Sequence, residues 1–177
     1  MRELTEIRWH ARAGQGAKTA SQMLALALLR AGKSVQSFPE YGPERRGAPL
    51  RAYTRFGDRP VRRHDSIETP DIVVVLDESL LGEPAVREGV TAATTVLVNA
   101  VRPPRLAGAR VRAVPTARFA AVDGASFANV AMLGAVAAAV GEPPLETLQE
   151  AVVDTLGGKA DPDELRAAVA EGYRCRS

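Results

Sequence analysis

Three groups of residues could bind a ligand, and the first is a glycine turn. Gly14, Gln15 and Gly16 lie between an alternating segment and a segment with helical spacing. A glycine turn at the start of a helix leaves backbone N–H groups unpaired at the positive end of the helix dipole, which suits a phosphate. Lys18 and Thr19 would add a cation and a hydroxyl. The turn predicts an anion site, and a tight connection that binds nothing is the equal alternative.

The same turn does not match the known dinucleotide and phosphate loops. A dinucleotide fingerprint would require glycine where Ala11 and Ala13 stand, and an acid at the end of the second strand. That strand ends instead on the residues Gln36 to Phe38. The glycines also lack the spacing of a phosphate-binding loop. A nicotinamide or flavin site is therefore not expected.

The second group is a loop from Tyr41 to Pro49, with the sequence YGPERRGAP. Its two glycines and two prolines exclude a regular element and restrict where Glu44, Arg45 and Arg46 point. The planar guanidinium group of arginine suits phosphates and carboxylates. We expect this loop to recognise an anionic ligand or an acidic partner, and a solvent-exposed connection is the alternative.

The third candidate is Asn129, near the start of an apolar segment. An asparagine there is most often a cap or a satisfied buried amide, so we assign it no catalytic role. The two histidines, His10 and His64, lie in no recognisable triad, and the chain has neither a Gly-x-Ser-x-Gly elbow nor a carboxylate pair at characteristic spacing. The single cysteine, Cys175, excludes an intramolecular disulfide and a cysteine-rich zinc or iron–sulfur site. We predict no catalytic residue and no metal site in this chain.

The composition is that of an ordinary globular domain, with 177 residues, 46% hydrophobic and 25% charged. A chain of this length buries about 70% of the surface that its unfolded form exposes, so one domain over residues 1–177 is expected. No apolar stretch approaches the roughly 20 residues of a membrane span. Acids at Glu3 and Glu6 are atypical of a signal peptide, which predicts a cytoplasmic protein.

The charge is unevenly distributed, although its net value is only +2. The chain has 20 arginines against 3 lysines, and seven of the arginines lie between Arg45 and Arg63. This cluster indicates an anionic ligand or an acidic partner surface. Nucleic-acid binding is not expected, because no nucleic-acid motif accompanies the charge and the few aromatic residues are too scattered to form stacking platforms.

The glycine turn requires a strand before it and a helix after it. Residues 6–13 alternate, which predicts a strand, and residues 16–31 have apolar positions three and four apart, which predicts a helix. A second strand over 34–38, closed by Pro39, gives a βαβ opening and favours a parallel sheet with a right-handed crossover. Residues 50–56 predict a further strand, which the pair at 57–58 would turn into a hairpin.

The rest of the chain is predicted to supply buried strands and then helices. Unbroken β-branched runs are typical of strands covered on both faces of a parallel sheet. Such runs lie at 71–77, 95–98 and 111–114. Three helices are expected at 126–140, at 145–156, and from the capping residue Asp161 to Tyr173. This order indicates an α/β domain.

Five short segments together resemble one known family. The most specific is YGPERRGAP at 41–49, and the others are GQG at 14–16, SFPE at 37–40, DIVVVLD at 71–77 and NVAMLGA at 129–135. With them the chain resembles the gamma subunit, or the equivalent gamma domain, of pyruvate and related 2-oxoacid:acceptor oxidoreductases. The family usually reads GRGGQG where this chain has ARAGQG, with Ala11 and Ala13 in place of glycines.

The resemblance implies a Rossmann-like, three-layer α/β domain with a mainly parallel sheet, a hairpin after the YGPERRG loop and C-terminal helices. It implies a non-catalytic subunit of a complex that decarboxylates a 2-oxoacid oxidatively, joins the acyl group to coenzyme A and reduces ferredoxin or a similar acceptor. Thiamine diphosphate and iron–sulfur clusters would belong to companion alpha and beta subunits, with a ferredoxin-like delta subunit as a further candidate partner. Nucleic acid and membrane are not among the implied partners.

In such complexes the glycine turn lies near the entry of coenzyme A, which implies a set of contact residues in this chain. The set is Gly14, Gln15, Gly16, Lys18, Thr19, Glu44, Arg45, Arg46 and Asn129. The phosphates of coenzyme A would find donors at the helix start and on the arginines. A stand-alone module that binds a nucleotide or an acidic partner is the alternative function.

Overall fold

Six strands form one sheet within residues 4–40, 47–63, 65–116 and 127–175, the ranges that the computed structural model describes. The strands are β1 Thr5–Arg12, β2 Ser34–Glu40, β3 Pro49–Gly57, β4 Ile72–Val75, β5 Thr95–Val98 and β6 Arg110–Ala113. The helices are α1 Ala17–Arg30, α2 Pro84–Arg87, α3 Ala128–Val140, α4 Leu145–Leu156 and α5 Pro162–Arg174, and a 3-10 turn covers Glu78–Gly82. The chain is an α/β protein, as predicted.

The strand order is β2-β3-β1-β4-β5-β6. β1, β4, β5 and β6 are parallel neighbours, whereas β3 runs antiparallel to both β2 and β1. The mainly parallel sheet is confirmed, but β1 and β2 are not adjacent, because β3 inserts between them. β3 pairs along nearly its whole length with both neighbours, which satisfies the backbone groups on both of its edges.

The predicted hairpin forms with a different partner. Residues 58–63 form no strand, and β3 instead pairs with β2 across the connection of residues 41–48. Pro60 has no backbone donor, and residues 58–60 are exposed, so a strand there would bury nothing. β2 and β3 are therefore the two strands of the hairpin, and residues 41–48 connect them rather than precede them.

β2 continues through Pro39 to Glu40. The sequence predicts instead that the strand ends at the proline. β2 lies at the edge of the sheet and has β3 as its single neighbour. A proline is tolerated on an edge strand because its missing N–H removes no bond from a second ladder. The extra residue brings Glu40 opposite Arg51 of β3.

One face of the sheet, called the helix face here, packs against α1 and α3, and α4 and α5 pack on these two helices. Ile7, Trp9 and Ala11 of β1 point to this face and are fully buried. None of the helices in the described ranges has the length and apolar run that a bilayer crossing requires. α4 has the bounds predicted, and Asp161 caps α5 as predicted by accepting from the N–H groups of Asp163 and Glu164.

The opposite face is covered by short elements rather than by long helices. On β4 and β5 the residues of this face are valines, and they pack against Leu80 of the 3-10 turn, Val86 of α2 and Leu106 of the following connection. On β1 the same face carries Arg8 and His10, both buried. The two faces therefore differ in chemistry, with the helix face apolar and the opposite face partly charged.

α3 is buried along most of its length and approaches α5 closely. Its residues 129–137 are all buried. A Cβ atom on Gly172 of α5 would overlap the carbonyl oxygen of Ala131, and one on Gly134 of α3 would overlap the carbonyl oxygen of Val169. The missing side chains allow the two helix backbones to touch, and this contact holds α3 in place.

We expect Gly172→Ala to lower the free energy of unfolding by about 2 kcal/mol or more, because an overpacked methyl must push the two helices apart. Gly158→Ala is the matched control, since no atom lies within 4 Å of the added methyl and Gly158 has no positive φ. Its effect should stay within about 0.5 kcal/mol. Urea denaturation measures both, and equal midpoints for the two variants would contradict the close approach.

Candidate functional site

The glycine turn connects the end of β1 to the start of α1. Gly14 and Gly16 have φ angles of +98° and +80°, in the left-handed region that favours glycine. Gly16 is the N-cap of α1 and provides no side chain to bond the first-turn N–H groups. Lys18 is exposed and Thr19 half-buried on that first turn. The structure therefore brings together five of the predicted contact residues at a helix start with free donors.

The side chain of Gln15 closes the turn from within. The side-chain Oε1 accepts from the backbone N–H of Arg12 at 2.8 Å. The backbone N–H of Gln15 donates to the carbonyl oxygen of Arg12 at 3.0 Å. Its Nε2 donates to Oδ2 of Asp77 at 2.9 Å. Both polar atoms of the Gln15 side chain are thus engaged within the protein, which makes Gln15 a positioning residue for the turn.

Asp77 follows β4 and collects bonds from three neighbours. Besides Gln15, its carboxylate accepts from the N–H and the Oγ of Ser79 at 3.0 and 2.6 Å, and Nε of Arg12 lies 3.2 Å from Oδ2. The hydrogen bonds from Ser79, and then that from Gln15, lower the pKa of Asp77. Asp77 is therefore a charged anchor at the carboxyl ends of β1 and β4.

Sequence reasoning missed the roles of Arg12 and Ser79. An aspartate at a strand end followed two residues later by serine is a local capping pattern, and it could have indicated the Asp77–Ser79 contact. No comparable pattern marks Arg12, whose partners lie on other segments. Its Nη2 donates to Oγ of Ser79 at 2.8 Å, and its Nη1 donates to the carbonyl oxygen of Gly47 at 3.1 Å.

The loop that carries Glu44, Arg45 and Arg46 has one end, at Gly47, fixed beside the turn. These three residues lie outside the described ranges. On one side Glu40 pairs with Arg51 at 2.6 Å across the hairpin. On the other side Arg12 holds Gly47, as described above. The end of the loop at Gly47 therefore lies next to the glycine turn, while its start at Glu40 lies on β2, two strands away from β1.

Tyr53 supports the base of this loop from the opposite face of the sheet. Its hydroxyl donates to Oε2 of Glu40, and its ring packs against Phe38 with centroids 5.0 Å apart. Burial, and then the bond to Glu40, raise the pKa of Tyr53 to about 12. The tyrosine thus stays protonated and donates to Glu40 at neutral pH.

Asn129 contacts the turn from α3. Its Nδ2 donates to the carbonyl oxygen of Gly16 at 3.3 Å, across 113 positions of sequence. A Cβ atom on Gly16 would lie 2.5 Å from that Nδ2. The structure therefore places Asn129 beside Gly16, as a buried amide that fixes the first turn of α1 against α3.

The two alanines that replace family glycines leave the turn intact. Ala11 is fully buried in β1, and its methyl group belongs to the core of the helix face. The N–H of Ala13 donates to the carbonyl oxygen of Ala48 at 2.9 Å, which continues the pairing of β1 with the β3 side of the loop. Both residues precede Gly14, so the left-handed part of the turn keeps its glycines.

Arg8 and His10 form a buried pair on the opposite face of β1. Nε of Arg8 donates to Nε2 of His10 at 3.0 Å, and Nη2 donates to the carbonyl oxygen of Glu88 at 2.6 Å. Burial, and then the charges of Arg8 and Arg51, lower the pKa of His10 to about 3. His10 is therefore neutral at physiological pH, with its Nε2 occupied, and is unsuited to act as a general base.

The chemistry available at the site is anion binding. The described ranges contain no group of three or more histidine, cysteine, aspartate or glutamate residues placed to hold a metal ion. What the site offers is backbone N–H donors at the start of α1, the ammonium group of Lys18 and the hydroxyl of Thr19. These groups suit a phosphate-bearing ligand.

The chain matches the family model described as pyruvate ferredoxin/flavodoxin oxidoreductase over residues 6–175. It is 44% identical to pyruvate synthase subunit PorC of Thermotoga maritima, over 95% of this chain and 92% of that protein. It is 41% identical to the pyruvate/ketoisovalerate oxidoreductases common subunit gamma of Thermococcus kodakarensis, over 93% of this chain and 94% of that protein.

Solved structures show the same architecture. The crystal structure of pyruvate oxidoreductase subunit PORC from Thermotoga maritima superposes with a TM-score of 0.82 at 40% identity, covering 98% of this chain and 97% of that chain. A 2-oxoglutarate:ferredoxin oxidoreductase from Magnetococcus marinus, with 2-oxoglutarate, coenzyme A and succinyl-CoA bound, gives a TM-score of 0.83. It covers 99% of this chain and 31% of that chain at 18% identity, so this likeness shows a shared fold.

We expect the contact with Asn129 to make Gly16→Ala more costly than Gly14→Ala. Both substitutions force alanine into a positive φ, which costs about 1 kcal/mol. Only the methyl at position 16 meets another side chain, because nothing lies within 4 Å of a Cβ on Gly14. In an Asn129→Ala background the two costs should converge. Thermal denaturation of the five variants measures this, and a difference that persists without Asn129 would contradict the contact.

We expect His10 to make stability depend on pH. An unfolded chain protonates this histidine near pH 6.5, whereas the folded chain holds its pKa at about 3. The contribution of the neutral imidazole is fully present above pH 6.5 and falls by about 1.4 kcal/mol per pH unit as the pH decreases toward 3. The difference in free energy of unfolding between wild type and His10→Gln, measured in urea from pH 7.5 to 4.5, should shrink accordingly.

The imidazole resonances of His10 provide the direct check on this pKa. In nuclear magnetic resonance spectra of a His64→Gln variant, the remaining ring signals should not shift between pH 7.5 and 4.5. A titration near pH 6 would show that the buried imidazole accepts a proton in the folded state.

Proposed function

The chain belongs to the pyruvate ferredoxin/flavodoxin oxidoreductase family, as its motifs predict, and on this basis we propose that it is the gamma subunit of a 2-oxoacid oxidoreductase complex. In the proposed reaction a 2-oxoacid, coenzyme A and an oxidised acceptor give an acyl-CoA, carbon dioxide and the reduced acceptor. The observation that carries the proposal is the match of nearly the whole chain to nearly the whole length of gamma and PorC subunits. A single gamma-type domain over residues 1–177 and a cytoplasmic location are part of the proposal.

The proposed division of labour assigns the reactive groups to companion chains. Thiamine diphosphate and the iron–sulfur clusters would be held by alpha and beta subunits, with a ferredoxin-like delta subunit as a further partner. The neutral, occupied His10 and the single cysteine, Cys175, support a non-catalytic role for this chain. Its contributions would be assembly of the complex and part of the coenzyme A site.

The proposed coenzyme A contacts combine the helix start with the neighbouring loop. Phosphate groups would bind the first-turn N–H groups of α1 and the side chains of Lys18 and Thr19. Because Arg12 holds Gly47 beside the turn, the loop with Glu44, Arg45 and Arg46 ends within reach of the same ligand. Gln15 and Asn129 would hold the shape of this site rather than donate to the phosphates, since their described bonds go to the protein.

We expect Lys18→Ala and Arg46→Ala, each in the assembled complex, to raise the apparent KM for coenzyme A about 10-fold, the loss associated with one charge-assisted bond to phosphate. Thiamine-dependent decarboxylation measured without coenzyme A should change little. The measurement is steady-state kinetics with coenzyme A varied at saturating 2-oxoacid.

Lys159→Ala is the matched control, because Lys159 is also an exposed lysine and lies in the connection after α4. A KM unchanged by both test variants would refute the coenzyme A contacts while leaving subunit membership intact.

Membership in the complex is tested by purification from the native source, where the chain should co-elute with larger subunits that carry thiamine diphosphate and iron–sulfur clusters. A chain that elutes alone and binds a nucleotide would favour the stand-alone module.

A further inference from the structure

β6 lies at the end of the sheet, and within the described ranges no strand pairs with its outer edge. The N–H of Arg110 donates to the carbonyl oxygen of Thr94 at 3.1 Å, and that of Val114 donates to the carbonyl oxygen of Val98 at 2.8 Å. These bonds define the inner edge of the strand. Because backbone groups alternate along a strand, the N–H and C=O groups of Val111 and Ala113 point to the outer edge.

The side chains of β6 differ between the two faces of the sheet. Val111 and Ala113 pack on the apolar cluster of the opposite face. Arg112 lies in register with Leu97, which belongs to the core of the helix face, and Arg110 shares that side. The edge therefore presents arginines on one face and small apolar side chains on the other.

An open groove of about 490 Å³ borders the apolar side of β6. Pro103, Pro104, Leu106 and Val111 line it. Val101 precedes the groove in the sequence and is 76% exposed. Two large apolar side chains are exposed in the described ranges, and Val101 is the more exposed of them. Apolar surface is thus available next to the unpaired backbone groups.

The positive charge around β6 is not neutralised by the residues that the structure describes. Residues 89–122 contain five arginines and neither aspartate nor glutamate. Among the described residues, Arg102, Arg105, Arg110 and Arg112 make no ion pair, whereas arginines elsewhere, such as Arg51, face carboxylates. An acidic partner would supply the missing charge.

We propose that the outer edge of β6 receives an extended acidic segment of another polypeptide, which adds to the sheet as a seventh strand. Its backbone would pair with Val111 and Ala113. Carboxylates at every second position would face Arg110 and Arg112, and the alternate apolar side chains would enter the groove. A polypeptide fits better than a nucleic acid, because free strand donors and an apolar groove match a peptide backbone and its side chains. This inference does not depend on the proposed function.

The competing explanation for arginines on an edge strand is protection, since charges there discourage pairing with other chains. Protection requires no complementary ligand and predicts that no strand binds. The two explanations therefore give opposite results with a suitable peptide.

The experiment uses the full chain and a blocked nine-residue peptide of alternating glutamate and valine. Its matched control is a peptide of the same composition with the glutamates grouped together. We expect the alternating peptide alone to bind and to slow amide hydrogen exchange at Val111 and Ala113 at least 10-fold, without effect on the β2 edge. Arg110→Glu combined with Arg112→Glu should weaken this binding at least 10-fold and create affinity for an alternating lysine and valine peptide.

Two further double variants test whether weaker binding comes from the changed charge at β6 or from a damaged fold. Arg110→Gln combined with Arg112→Gln should weaken binding without reversing the charge preference. Arg62→Glu combined with Lys159→Glu makes the same change in net charge at exposed positions away from β6 and should leave binding unchanged. Equal binding of the grouped peptide, unprotected amides at Val111 and Ala113, or tighter binding of a short single-stranded DNA at these arginines would each overturn the proposal.

Discussion

The carboxylate of Asp77 connects the separate pieces of the candidate site. Through Gln15 it holds the glycine turn, and through Arg12 it reaches the base of the loop at Gly47. Each bond is partly exposed, so each alone contributes little. Their effect is geometric, because one charged group fixes two segments that come from distant parts of the sequence. Gln15 and Arg12 also bond each other, so Asp77 adds a third contact to a connection between the turn and the base of the loop that these two residues already make.

A second set of charged side chains is buried on the opposite face of the sheet. Arg55 is fully buried and belongs to β3, the strand between β1 and β2. It donates to Oε1 of Glu6 at 2.7 Å and to the carbonyl oxygen of Asp65 at 3.1 Å. A buried guanidinium group is tolerated only when its donors are satisfied, as they are for Arg55 and for Arg8. A slip of β1 by one residue would turn Arg8 into the apolar helix face, so this layer selects a single register.

Local sequence patterns predicted the helices and strands well, but they could not predict which strands pair with each other. The bounds of β5 and α4 and the cap at Asp161 follow from strong short patterns and are confirmed. The insertion of β3 between β1 and β2 could not be predicted, because the choice of strand neighbour depends on which faces become buried. For the site, the sequence identified Gly16 and Asn129 separately, but their contact joins segments that no local pattern relates.

The architecture separates the proposed ligand site from the outer edge of β6. The glycine turn follows β1, and β6 lies three strands away, a distance of about 14 Å at the usual spacing between strands. Side chains that far apart with no shared partner act nearly independently. β4 and β5, which lie between them, contribute valines on the opposite face and no charged link. A macromolecule at the β6 edge and a phosphate-bearing ligand at the start of α1 could therefore bind the same chain at once, because neither would displace a group that the other uses.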